Sequence, residues 1–89
     1  MKQKRSKEAI CAEILEICRD GMVKTRIVYG SNTNFRSCEK YMEQLIRAGL
    51  IQEEHLDSQK IYRTTNKGRD ALACYNALVE MVSPGGSPR

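Results

Sequence analysis

The residue types that could do metal or covalent chemistry are few in this chain and are spaced wrongly for it. Four cysteines, Cys11, Cys18, Cys38 and Cys74, and one histidine, His55, include no Cys-x-x-Cys pair, whereas structural zinc ligands come in closely spaced pairs. Cys11 and Cys18 lie on one predicted helix, about 10.5 Å of rise apart, beyond the roughly 7 Å between Cα atoms that a disulfide tolerates. Each cysteine falls in or beside an apolar stripe, the setting of a small buried hydrophobe in a reducing compartment. His55 has no partner nearby in sequence and reads as a loop histidine. Acid–base catalysis needs a poised histidine or carboxylate pair, and a nucleophile needs an activating base. No glycine-rich phosphate loop precedes a helix, since Gly85-Gly86 follows the last one. The residues therefore predict a non-enzyme with no metal and no cofactor.

The chemistry that remains is that of cations. Fifteen Lys and Arg against eleven Asp and Glu leave +4 in 89 residues. Between residues 24 and 47 stand Lys24, Arg26, Arg36, Lys40 and Arg47 against Glu39 and Glu43, a local +3. A basic segment of this kind mildly favours a polyanionic partner, and double-stranded DNA becomes the expected one only with the order of the elements that carry it. Lys24, Thr25 and Arg26 are candidates for the phosphate backbone, because a helix N-terminus adds free amides and a favourable dipole. Asn32, Asn34, Arg36, Ser37 and Lys40 are candidates for groove and base edges. Arg36 leads this set, since its fork matches guanine O6 and N7. For Asn32 and Asn34 turn geometry and capping are equally good accounts, and for Arg36 the alternative is a solvated surface position.

These residues need elements to hold them. Ser6 can cap a helix running to about Asp20, with Ile10, Ile14, Ile17 and Cys18 on one face and Gly21 as a left-handed stop. Met22 to Lys24 is a stub of strand. Thr25 then caps a short helix, Arg26 to Gly30, with Ile27 and Val28 inward, and Ser31-Asn32-Thr33-Asn34 forms a polar turn. The third helix takes Asn34 as cap and runs to Ala48 with Gly49 as stop, and its apolar face is Cys38, Tyr41, Met42, Leu45 and Ile46. Tyr29 and Tyr41 read as core, and Phe35 either as an apolar anchor at the helix start, the favoured reading, or as an apolar contact to a thymine methyl. Leu50 to Glu54 and Lys60 to Thr64 form a hairpin around residues 55 to 59. Thr65 caps a last helix, about Asn66 to Val82, which Ser83 and Pro84 end.

Helix, stub strand, helix, turn, helix, hairpin, helix is the order of a winged helix-turn-helix, mainly α with a small β-hairpin (α+β). In that fold the third helix, 34 to 48, enters the major groove and the hairpin, or wing, touches flanking backbone. Ser58, Gln59 and Lys60 on the far side of the wing join the phosphate candidates. Residues 52 to 60 nevertheless carry Glu53, Glu54 and Asp57 against Lys60 alone, a local −2 that a phosphate backbone would repel. The expected organisation is a basic flexible arm at 1–5, a winged-helix domain at 6–82 and a disordered tail at 83–89.

Lys24-Thr25-Arg26-Ile27-Val28-Tyr29-Gly30-Ser31-Asn32, Tyr41 and Leu45, then Tyr62 and Thr65-x-Lys67-Gly68, resemble a family of small archaeal winged-helix proteins. That family includes the ten-kilodalton chromatin protein of crenarchaea. The resemblance spans about residues 6 to 80 and implies DNA binding, with chromatin-type members pairing through a long C-terminal helix as an antiparallel coiled coil. Here the last helix has about 17 residues, roughly 25 Å, too short for a long coiled coil. Leu72, Tyr75, Val79 and Val82 make one stripe on it, and Ala71, Cys74, Leu78 and Met81 an adjacent one. So wide an apolar arc predicts either a homodimer through Leu72, Tyr75, Val79 and Val82 or packing of both stripes on the first helix.

Three functions stand open at this level: a sequence-specific archaeal transcription regulator, a general chromatin or nucleoid protein, and a protein-binding winged-helix module. Glu39 and Glu43 on the third helix favour the first, because carboxylates penalise indiscriminate phosphate binding. No apolar stretch approaches the roughly 20 residues that span a bilayer, and Glu8, Glu13 and Glu16 interrupt any signal-peptide pattern behind the charged N-terminus. The sequence thus predicts no membrane partner and a cytoplasmic, nucleoid-associated location.

Overall fold

A computed structural model describes residues 5–82, which form α1 (Lys7–Ile17), α2 (Lys24–Gly30), α3 (Phe35–Arg47), β1 (Ile51–Leu56), β2 (Gln59–Thr64) and α4 (Asn66–Val82). This is the α+β winged-helix order. The basic residues Lys2 and Lys4 and the segment 83–89 lie outside the described residues.

Ser6 caps α1 by accepting a hydrogen bond from the Ala9 amide at 3.0 Å. The helix stops at Ile17 rather than Asp20, and the reason is tertiary. The Leu15 carbonyl, which a continuing helix would give to the Arg19 amide, accepts the Thr64 hydroxyl at 2.7 Å instead. The Cys18 carbonyl takes the amides of Gly21 at 3.0 Å and Thr64 at 2.9 Å. Residues 18 to 20 become a turn closed by Gly21 at φ +96°. The expected stub of strand shrinks to one bridge, in which Met22 and Tyr62 exchange both backbone hydrogen bonds at 2.9 Å. That bridge delivers the chain into α2 two residues early, so Val23 occupies the cap without a side-chain bond and Thr25 lies inside the helix.

Asn34 caps α3 as expected, its side-chain oxygen accepting the Ser37 amide at 2.8 Å. The wing is tighter than expected, because β1 and β2 extend to Leu56 and Gln59 and leave a two-residue turn. Asp57 and Ser58 both take left-handed backbone, φ +51° and +66°. Turns of that hand match the natural twist of the two strands, and Asp and Ser bear the conformation better than branched residues.

The core gathers Ile14 and Cys18 from the first helix and its turn, Ile27 and Val28 from α2, and Cys38, Met42 and Leu45 from α3. Ile51, Tyr62 and Leu72 close it from the wing base and α4. Burial pushes the Cys18 thiol up to about 12, so it stays neutral. Cys11 is only half-buried and Cys74 is exposed, which corrects the reading of all four as core. Tyr29 and Phe35 are corrections too, 73% and 50% exposed. Ile27 and Val28 use up the inward arc of α2, leaving the next residue outside. Phe35 sits at the leading end of α3, one turn ahead of the layer that covers Cys38 and Met42. Tyr41 is half-buried against the core, as expected.

On α4 only Gly68 and Leu72 are buried. Leu72 belongs to the domain's own core and leaves the expected dimer stripe. Tyr75 is half-buried, while Leu78, Val79, Met81 and Val82 are exposed, so the last turns do not pack on α1.

The entry to α4 is fixed by a clamp on the corner between α3 and β1. Thr65 donates its hydroxyl to the Gly49 carbonyl at 2.7 Å and accepts the Gly68 amide at 3.0 Å. Lys67 donates to the Ala48 carbonyl at 2.8 Å, a cation at the C-terminal pole of α3. Gly68 packs directly on the backbone of Leu50, and a Cβ there would collide with the Leu50 carbonyl oxygen and lie 2.7 Å from Thr64 Cγ2. Overpacking of this kind costs about 1–3 kcal/mol. Gly68→Ala is expected to lower the melting temperature by roughly 4–24 °C, at about 4–8 °C per kcal/mol for a domain this size. Thermal unfolding followed by circular dichroism checks it, and an unchanged midpoint would show that α4 can shift at no cost.

Candidate nucleic-acid interface

Two short helices and the turn between them set the geometry of the surface. Ser31, fully buried, donates its hydroxyl to the Ile27 carbonyl at 2.7 Å and shares a hydrogen bond with Thr33 Oγ1 at 3.0 Å. Asn32 turns the chain at φ +58°. Arg5 braces this corner from the N-terminal side, donating to the carbonyls of Ser31 at 2.7 Å and Asn32 at 3.3 Å while paired with Glu13 at 2.6 Å. A residue read as part of an arm is thus a strut of the turn, and nothing in local sequence signals it because its partners are 26 and 27 positions away.

On α3 the buried face of Cys38, Met42 and Leu45 leaves Arg36, Lys40, Gln44 and Arg47 exposed at four- and three-residue spacing along the opposite side. Gln44 is absent from the sequence-level candidates, and the 36/40/44 spacing is the signal that could have found it. Ser37 is half-buried and its backbone amide is held by the Asn34 cap, so the Asn34 side-chain oxygen is spent on the helix start. Asn32 is exposed beside them. Arg5, Asn32, Asn34, Ser37 and Tyr41 line an open cleft of about 510 Å³ along this edge.

Ion pairing sorts the cations. Lys24 Nζ lies 2.6 Å from Glu39 Oε2, which ties α2 to α3. Their hydrogen bond raises the Lys24 ammonium and lowers the Glu39 carboxyl from their ordinary values, so the charge of Lys24 is neutralised locally at neutral pH. Arg19 pairs with Glu16, Arg47 with Glu43, Lys60 with Glu53, Arg63 with Glu54, and Arg69 lies 3.7 Å from Asp20. Of the lysines and arginines among the described residues only Lys7, Arg26, Arg36 and Lys40 make neither an ion pair nor a side-chain hydrogen bond. Three of those four lie on α2 and α3.

The same pairing revises the charge of the wing. Glu53 meets Lys60 at 3.0 Å, and Glu54 takes Arg63 at 3.1 Å and Gln52 at 2.8 Å. Of the acidic wing residues Asp57 alone has no cation beside it among the described residues. Ser58 and Gln59 are exposed at the tip, whereas the charge of Lys60 is shared with Glu53. The described residues hold no cluster of three His, Cys, Asp or Glu able to bind a metal, and no helix long and apolar enough to cross a membrane.

An uncharacterised protein of Methanocaldococcus jannaschii is 31% identical over 81 residues, covering 90% of this chain and 79% of the relative. The crystal structure of Sso10a-2, a DNA-binding protein from Sulfolobus solfataricus, superposes with a TM-score of 0.80 at 27% identity, covering 86% of this chain and 81% of that one. The family model for winged helix-turn-helix proteins matches residues 4–83, the whole span from the Arg5 strut through α4. With element order, wing and paired short helices in agreement, the chain belongs to the winged helix-turn-helix family.

Proposed function

We propose that this protein binds double-stranded DNA by inserting α3 in the major groove and that it acts as a sequence-selective transcription regulator. The observation that carries this reading is the concentration of unpaired cations, Arg26, Arg36 and Lys40, on the two helices of the motif. Arg26 serves phosphate, and Arg36, Lys40 and Gln44 face the groove, with Arg36 suited to guanine and Gln44 to adenine. Thr25 and Asn32 lie at the edge of this surface, and Ser58 and Gln59 offer neutral donors from the wing. Lys24 and Lys60 contribute less than their charge suggests, since each must leave a carboxylate to reach phosphate. Sso10a-2, described as a DNA-binding protein, supports DNA as the partner.

A general chromatin role is less well supported. Non-selective binding draws its affinity from many phosphate contacts, and among the described residues most cations are already paired within the domain. Glu39 and Glu43 on α3 act in the same direction. A protein-binding module would require none of these free cations.

Measuring affinity for a random duplex and for sequences enriched from it, across a salt series, tests the proposal. Arg36→Ala is expected to weaken specific binding by about 1–3 kcal/mol and relax sequence choice. An equal loss on random duplex would move Arg36 to the phosphate class. Arg26→Ala is expected to weaken binding to all sequences alike and lower the salt slope by about one unit. Absence of binding to any duplex would leave the protein-module reading.

Assembly as a homodimer through the end of α4 is the second part of the proposal. Leu78, Val79, Met81 and Val82 are 58%, 42%, 79% and 67% exposed, continuous along the last turns and with Tyr75 half-buried behind them. A dimer through them would join two α3 helices for half-sites about one helical turn apart. Val79→Glu with Val82→Glu is expected to give a folded monomer with weaker binding to paired half-sites, since avidity is lost. Sedimentation checks it, and a wild-type monomer at high micromolar concentration would end the dimer reading.

A further inference from the structure

The leading end of α3 carries an apolar side chain where a solvated helix start gains nothing from one. Phe35 is the first residue of α3 and is 50% exposed. It forms no part of the core that holds Cys38 and Met42. The polar groups beside it are occupied, since the Asn34 side chain accepts from the Ser37 amide. On the helix Phe35 is in line with Cys38 and Glu39, three and four residues on, and the unpaired Arg36 stands about 100° further round.

A helix that enters the major groove by its N-terminal end brings its first residues to the base edges. In that groove three of the four bases present hydrogen-bonding groups alone, and only thymine adds a methyl group. Phe35 has no donor or acceptor, so an apolar group is the one feature of the groove it can recognise.

We propose that Phe35 is a specificity-determining residue that contacts the 5-methyl group of thymine, next to the base read by Arg36. The inference rests on the DNA-binding reading above and deepens it. Burial of one methyl-sized group against the ring contributes about 0.8 kcal/mol, about a four-fold gain in affinity per contact.

The test uses duplexes enriched from a random pool by the wild-type protein, resynthesised with deoxyuridine in place of thymidine so that only the methyl groups are lost. Wild type is expected to bind the thymidine duplex about four-fold tighter per contacted base. Phe35→Ala should fold normally, as the ring is half exposed, bind the two duplexes alike, and match wild type on the deoxyuridine form. Phe35→Leu, which keeps an apolar contact, should retain part of the difference. Equal affinity of wild type for both duplexes would overturn the proposal while leaving DNA binding intact. A difference that persists in Phe35→Ala would also overturn it, because the methyl would then act through duplex geometry. Failure to bind any duplex would instead remove the DNA-binding reading on which the inference rests.

Discussion

The close approach of α4 to the Leu50 backbone is the constraint on which the arrangement depends. Because residue 68 has no side chain, the first turn of α4 lies against the corner where α3 ends and β1 begins. Thr65 and Lys67 then reach the carbonyls of Gly49 and Ala48, just past the last residue of α3. One corner thus fixes the direction of three elements at once. The helix α3 is held from behind at its C-terminal end, and Asn34 caps the opposite end. A rigid α3 presents its side chains with little ordering cost on binding.

The wing is fastened to the other end of the domain. Thr64 bonds to Leu15 and Cys18, and Tyr62 bridges Met22, so β2 runs between the close of α1 and the start of α2. These bonds also satisfy backbone carbonyls that shortening α1 leaves open, as buried polar groups require. No buried side-chain polar atom lacks a partner among the described residues. Arg5 makes a similar repair at the end of α2, bonding to the carbonyls of Ser31 and Asn32.

Charge is distributed with the same economy. Ion pairs join α2 to α3, strand to strand in the wing, and α4 to the turn after α1. Exposed pairs of this kind stabilise little. Their larger consequence is to subtract cations from the surface field, so that among the described residues the free positive charge lies mainly on α2 and α3. That distribution supports a selective reading of DNA over indiscriminate attraction to it.

Much of this was legible in the sequence. Apolar spacing, the caps at Ser6, Asn34 and Thr65, and stops at Gly21 and Gly49 define four helices and a hairpin among the described residues, because those signals are local. The core positions at Ile14, Ile27, Cys38 and Leu45 follow from periodicity, and the basic stretch from residue 24 to 47 identifies the motif helices as the candidate surface. Tertiary structure decided what depends on partners distant in the chain. It ended α1 three residues early by giving its carbonyls to Thr64, and it turned Lys24 toward Glu39 and Glu53 toward Lys60. It explained Thr65-x-Lys67-Gly68 as a clamp, set Leu72 in the core, and left Tyr29, Phe35 and the end of α4 uncovered. Periodicity assigns a residue to a face of its element, but only packing determines whether another element covers that face, and only distance determines which charges cancel.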